Sequence, residues 1–100
     1  MKRAEDKYAT NGTSFHGQTF RATVNEIARV CGEPYEYGDP DDKVQYEWDM
    51  ETEDGTVFTI YDWKEYRRYS KDATIEWHIG AHNGFSAQKG LEELMVALDN

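Results

Sequence analysis

The sequence predicts one α+β domain, a small antiparallel sheet with two helices on one face, in the order β-α-β-β-β-α. Three observations carry this. Val44, Tyr46, Trp48 and Met50 alternate with Gln45, Glu47, Asp49 and Glu51, the two-residue period of a strand with one apolar and one acidic face. Val24, Ile27, Ala28 and Cys31 share one stripe at helical spacing, and Leu91, Leu94, Met95 and Leu98 share another. A chain of 100 residues has room for a single core, and its aromatics, Trp48, Trp63 and Trp77 among them, must supply much of the bulk.

The elements follow in order. Residues 1–12 read as a flexible leader ending at the Asn11-Gly12 turn, with the domain over residues 13–100. Thr13 to Phe20 predicts a first strand made irregular by Gly17. Thr23-Val24-Asn25-Glu26 is a capping box, since the Thr hydroxyl can take an orphan amide and the Glu can reach back. Gly32 and Pro34 end that helix. A Gly/Pro/Asp loop over 35–42 leads to the alternating strand, Glu53-Asp54-Gly55 forms a hairpin turn, and Thr56 to Asp62 returns. After a loop from Trp63 to Ala73, the strand Thr74 to Ile79 points Ile75, Trp77 and Ile79 inward and Glu76 and His78 outward. Ser86 is the expected N-cap of the last helix. Gly90 within it costs up to ~1 kcal/mol relative to Ala, which points to a close approach by a neighbour. If the strands pair in order, the uncovered sheet face collects Glu47, Asp49, Thr59, Tyr61, Glu76 and His78.

Charge is unevenly placed. Residues 33–54 hold Glu33, Glu36, Asp39, Asp41, Asp42, Glu47, Asp49, Glu51, Glu53 and Asp54 against Lys43 alone, and this excess of nine equals the net charge of −9. Such a surface repels nucleic-acid phosphates and attracts basic protein surfaces. Direct nucleic-acid binding is therefore not expected, and Asp39, Asp41, Asp42, Glu47, Asp49 and Glu51 become the candidate contact set for a basic partner. The opposite sign gathers in Asp62 to Lys71, where four of the eleven basic residues stand beside three aromatics. Trp63, Lys64, Tyr66, Arg67 and Arg68, with His78, could stack a base and grip a phosphate, and a two-fold homodimer is one way to complete such a pocket.

Catalytic signatures are missing. The chain has no phosphate-binding glycine loop and no GxGxxG. Cys31 sits on an apolar stripe, where a small core residue is expected, and Ser14 and Ser70 lack elbow-like surroundings. His16, His78, His82, Asp62 and Glu76 fit no zinc spacing, so neither metal nor cofactor is expected. One cysteine, a polar start and no run near the ~20 apolar residues of a membrane span predict a cytoplasmic protein.

The run Gly55-Thr56-Val57-Phe58-Thr59-Ile60-Tyr61-Asp62-Trp63-Lys64, followed by Trp77-His78-Ile79-Gly80, resembles a group of small phage-encoded accessory proteins. Gly17, the Thr-capped helix to Val30, Gly32-Glu33-Pro34 and Glu47-Trp48 extend the likeness over roughly residues 13–98. His82-Asn83 departs from it, standing where another Gly is expected. The resemblance implies a non-enzymatic factor in the host cell cytoplasm. Such a factor binds and blocks a host protein, including defence effectors of the restriction or CRISPR type. A sponge for a phosphate-bearing nucleotide signal is the alternative.

Overall fold

A computed structural model describes residues 1–6 and 8–99. Lys7, within the expected leader, and Asn100, at the end of the expected domain, lie outside the described residues. The elements run β1 (Lys2–Arg3), β2 (Ser14–Ala22), α1 (Val24–Cys31), β3 (Tyr35–Glu36), β4 (Tyr46–Glu51), β5 (Val57–Tyr61), β6 (Ile75–Ala81) and α2 (Gly84–Leu98). All strand pairs are antiparallel, in the order β1-β4-β5-β6-β2, with β3 also pairing β4. The fold is the α+β class that the periodicities predict, with β1 and β3 added.

Those two additions share one edge. β3 pairs with the start of β4 (Tyr35 opposite Glu47) and β1 with its end (Lys2 opposite Glu51). Part of the segment expected to lie outside the domain is therefore stitched to the sheet, and Ala4 N–H continues the pairing to Asp49 O at 3.0 Å. At the far edge β2 bulges between Phe15 and Thr19, where Gly17 has φ 98°.

Helix α1 starts where the capping box predicts. Thr23 Oγ1 accepts from Glu26 N–H at 3.0 Å while Thr23 N–H donates to Glu26 Oε1 at 2.9 Å. Gly32, at φ 83°, closes it. The start of α2 differs from expectation. Asn83 is the N-cap, its Oδ1 taking Ser86 N–H at 2.8 Å, so the helix begins a turn ahead of Ser86.

Both helices lie over one sheet face. Phe20, Trp48, Met50, Phe58, Ile60, Trp77 and Ile79 meet Val24, Ile27 and Leu94 there, all buried. Trp48 and Trp77 cross edge to face at 5.4 Å, and each indole N–H finds a carbonyl: Gly32 O at 2.7 Å and Ala22 O at 2.9 Å. Cys31 belongs to this core, and burial pushes its thiol up to about 11, which keeps it protonated and poorly nucleophilic. Among the described residues the other sheet face carries no helix.

Candidate functional site

The strand registers build the uncovered face in rows. Tyr35, Glu47, Tyr61, His78 and Thr19 stand in one row across the sheet, and Asp49, Thr59, Gly80 and Phe15 in the next. The alternation of β4 is what puts Glu47, Asp49 and Glu51 here, because Trp48 and Met50 must point into the core. The face has two halves. One is aromatic: Phe15 stacks on His78 at 4.3 Å, Tyr61 lies 5.6 Å from the same imidazole, and exposed Trp63 6.4 Å from it. The other is acidic, where a pocket of about 500 Å³ opens between the N-terminal segment and β3, lined by Glu5, Asp6, Tyr35, Tyr37, Glu47 and Asp49 among others.

Glu47 and Asp49 stand two apart on one strand face, half-buried and side by side. Tyr37 hydroxyl donates to Glu47 Oε1 at 3.4 Å. Burial pushes the Glu47 carboxyl up to about 8, and the Asp49 carboxylate adds to that rise, so Glu47 keeps a proton that the pair shares at neutral pH. Tyr37 is pushed up to about 12 by burial first and the two carboxylates second. Asp49 Oδ1 is buried and has no hydrogen-bond partner among the described residues.

This arrangement has a stability signature. The folded protein holds the Glu47 proton to about 8, while the unfolded chain releases it near the ordinary 4.5. Folding takes up a proton between those values, so this group erodes stability as pH climbs from 4.5 to 8. Glu47→Gln removes the titration. Solvent reaches the pair and discounts the effect, so the variant should gain ~1 kcal/mol at pH 8, about 4–8 °C in Tm, and nothing at pH 4. Melting curves at the two pH values check this; a Gln variant that melts lower than the parent at pH 8 would contradict the shared proton.

The remaining candidate acids fall into two settings. Asp39, Asp41 and Asp42 are exposed on the loop before β4, with Asp39 Oδ1 accepting Asp41 N–H at 2.9 Å. Glu51 is the one member of the six-residue set in a described ion pair, with Lys2 at 3.8 Å. Among the described residues no ion pair joins the acidic segment to the basic loop.

That loop does not converge into one cationic pocket. Arg67 pairs with Glu65 at 3.3 Å, and Arg68 donates to Gly38 O at 3.3 Å. Lys64 and Lys43 flank the Trp63 ring at 5.6 and 6.0 Å. Lys64 and exposed Tyr66 hold left-handed backbones at φ 55° and 51°, strained for residues with a Cβ. Of the expected set, the fold brings together Trp63, Lys64 and His78, while Arg67 and Arg68 are engaged elsewhere.

The His and Asp residues weighed as metal ligands are also dispersed. His16 Nε2 donates to Ala81 O, His82 Nε2 to Ala9 O, and His78 faces Glu76 at 3.8 Å. Asp62 is fully buried beneath the loop: its Oδ1 takes Gln45 and Tyr46 N–H at 2.7 and 3.0 Å, and its Oδ2 takes Tyr69 hydroxyl at 2.8 Å. Among the described residues no three His, Cys, Asp or Glu side chains gather as a metal site, and no helix is long and apolar enough to cross a membrane. Tyr35 and Tyr37 from the β3 segment, with Glu5 and Asp6 from the N-terminal segment, are members of the site that sequence reasoning missed, since only the pairing of β3 and β1 with β4 carries them there.

With this geometry the chain defines a class no finer than a small α+β domain with an acidic, uncovered sheet face. No family model, curated protein or solved structure matches it.

Proposed function

We propose that this chain is a non-enzymatic accessory protein of the phage type, which binds a host protein through its acidic sheet face and blocks that partner's basic surface. The target class is a nucleic-acid-binding defence effector of the restriction or CRISPR type. The observation that carries the reading is the placement of charge: Glu47 and Asp49 lie on the sheet face without helices, and Asp39, Asp41 and Asp42 are exposed on the loop that leads into β4, with no described cation paired to any of the five. Negative potential so gathered competes with phosphates for a positive channel. The phage context rests on the sequence resemblance alone.

Capture from host lysate by immobilised protein tests this when run against a variant carrying Asp39→Asn, Asp41→Asn, Asp42→Asn and Asp49→Asn. Nucleic-acid-binding proteins should be retained by the parent, be released as salt rises toward physiological strength, where screening shortens to about 8 Å, and be lost to the variant. Retention indifferent to both salt and neutralisation would refute the reading. The nucleotide-sponge alternative has less support, because Arg67 and Arg68 are spent on Glu65 and Gly38 O instead of joining Lys64 beside Trp63.

A further inference from the structure

We infer that the cleft over the middle of the uncovered sheet face binds a single pyranose sugar ring, its C–H face on Trp63 and its hydroxyls on Thr59, Glu47 and Ser14. The inference goes beyond the reading above and does not rest on it. The cleft encloses about 260 Å³. That is below the roughly 300–1,000 Å³ of a site for a drug-sized ligand, so it suits one ring. Thr59 and Tyr61 of β5 and Gly80 of β6 form the floor beside Glu47 of β4. Ser14, where the chain enters β2, and Trp63, from the loop after β5, complete it.

Thr59 is the residue that points to a ligand. It is only 5% exposed, it lines the cleft, and its hydroxyl makes no hydrogen bond among the described residues. An enclosed hydroxyl, donor and acceptor at once, ordinarily has a partner. A Cβ at Gly80, its neighbour across the strands, would strike Thr59 Oγ1 and come within 3.3 Å of the Tyr61 ring, so glycine keeps the hydroxyl where it stands. Trp63 is 39% exposed and set edge-on to Tyr61 at 6.2 Å. Next to it, Lys64 is held in its left-handed backbone by N–H to Lys43 O at 2.7 Å, strain that fixes where the indole stands.

No Lys, Arg or His is among the described residues that line the cleft, whereas Glu47 is. A phosphate or nucleotide would meet a carboxyl there and no cation. A purely apolar ring would leave Thr59 and Glu47 unpaired. A pyranose answers both: its C–H groups lie on the negative face of an indole, and the hydroxyls around its rim give and accept hydrogen bonds. Lys43 and Lys64, exposed beside the indole, can turn to donate to the sugar's outer oxygens.

Saturation-transfer NMR on the intact protein tests the assignment, with glucose, galactose and mannose, each free and as its methyl glycoside. Transfer to the ring C–H protons of at least one pyranose is expected. Its dissociation constant should be on the order of 1 mM, ordinary for a ligand of about a dozen heavy atoms. A methyl glycoside that binds as well as the free form supports the end of a glycan as the source; binding of the free form alone supports a soluble sugar. AMP should receive no transfer. Thr59→Val, which keeps the shape, and Trp63→Ala, at the surface, should each weaken binding about tenfold with the fold intact. Glu76→Gln, on the same face but outside the cleft, should change nothing. Monodeoxy forms of the best sugar repeat the test with the protein unaltered, and loss of one hydroxyl should again cost about tenfold. No transfer to any of these sugars, unchanged binding by a folded Thr59→Val protein, a deoxy series in which no hydroxyl matters, or AMP bound ahead of every sugar would each overturn the inference.

Discussion

Asp62→Ala should destabilise the protein by about 3–5 kcal/mol, enough to lower Tm by on the order of 20 °C, which is the largest single-residue effect expected here. The carboxylate is wholly enclosed at the end of β5, and among the described residues it belongs to no ion pair. Its stabilisation comes from three donors instead. Two are consecutive backbone amides, Gln45 and Tyr46, where the chain enters β4, and the third is Tyr69 hydroxyl from the following loop. Alanine strands all three in a buried site, each at about 1–3 kcal/mol. Burial and the Asp62 charge also hold the Tyr69 hydroxyl far above its ordinary range, so it remains a donor at every accessible pH. Asp62→Asn is the instructive contrast. One amide oxygen still serves both backbone groups, and Tyr69 hydroxyl can turn to accept from the amide nitrogen, so a loss nearer 1–2 kcal/mol is expected. Urea unfolding of the two variants measures the difference. An alanine variant within 1 kcal/mol of the parent would show that water reaches those amides.

The second large effect runs against helix propensity. Gly90→Ala on α2 should gain up to ~1 kcal/mol from helix preference, yet the variant is expected to lose about 2 kcal/mol net. A Cβ at Gly90 would stand 2.5, 2.8 and 2.9 Å from three carbons of the Phe58 ring, which is fully enclosed and anchored on the central strand β5. Neither partner can retreat without opening the helix–sheet interface. Phe58→Leu in the Gly90→Ala background should recover part of the loss, a coupling that a double-mutant cycle reads directly. Simple additivity of the two substitutions would place the strain elsewhere.

Gly90 also shows what the sequence made legible. A glycine in an otherwise apolar helical stripe signals close approach, and the structure supplies the ring responsible. The alternation from Tyr46 to Glu51 and the capping box at Thr23 were equally readable, because each is a short-range pattern whose period or side-chain reach is fixed by backbone geometry. Ordering the strands put Glu47, Tyr61 and His78 on one face, and the registers set them side by side in one row. What escaped lacks such a period. β1 and β3 are two residues each, too short for alternation to show, and are defined by the edge they cover. Ser86 and Asn83 are both capable caps three residues apart, and only the extent of α2 separates them. Asp62 carried no signal, since its donors come from residues 16, 17 and 7 positions away along the chain. The Glu47 proton escaped for the same reason: it depends on burial and on what β3 delivers.

The outer edge of β4 is taken up at one end by β3 and at the other by β1, and the outer edge of β2 is broken by its bulge around Gly17. A strand from another copy finds no long flat ladder to extend at either side, which closes the ordinary route to fibrils and ribbons. An inhibitor of the kind proposed above, occupying its target one for one, has to be present in excess of that target. This sheet can be crowded without templating its own precipitation.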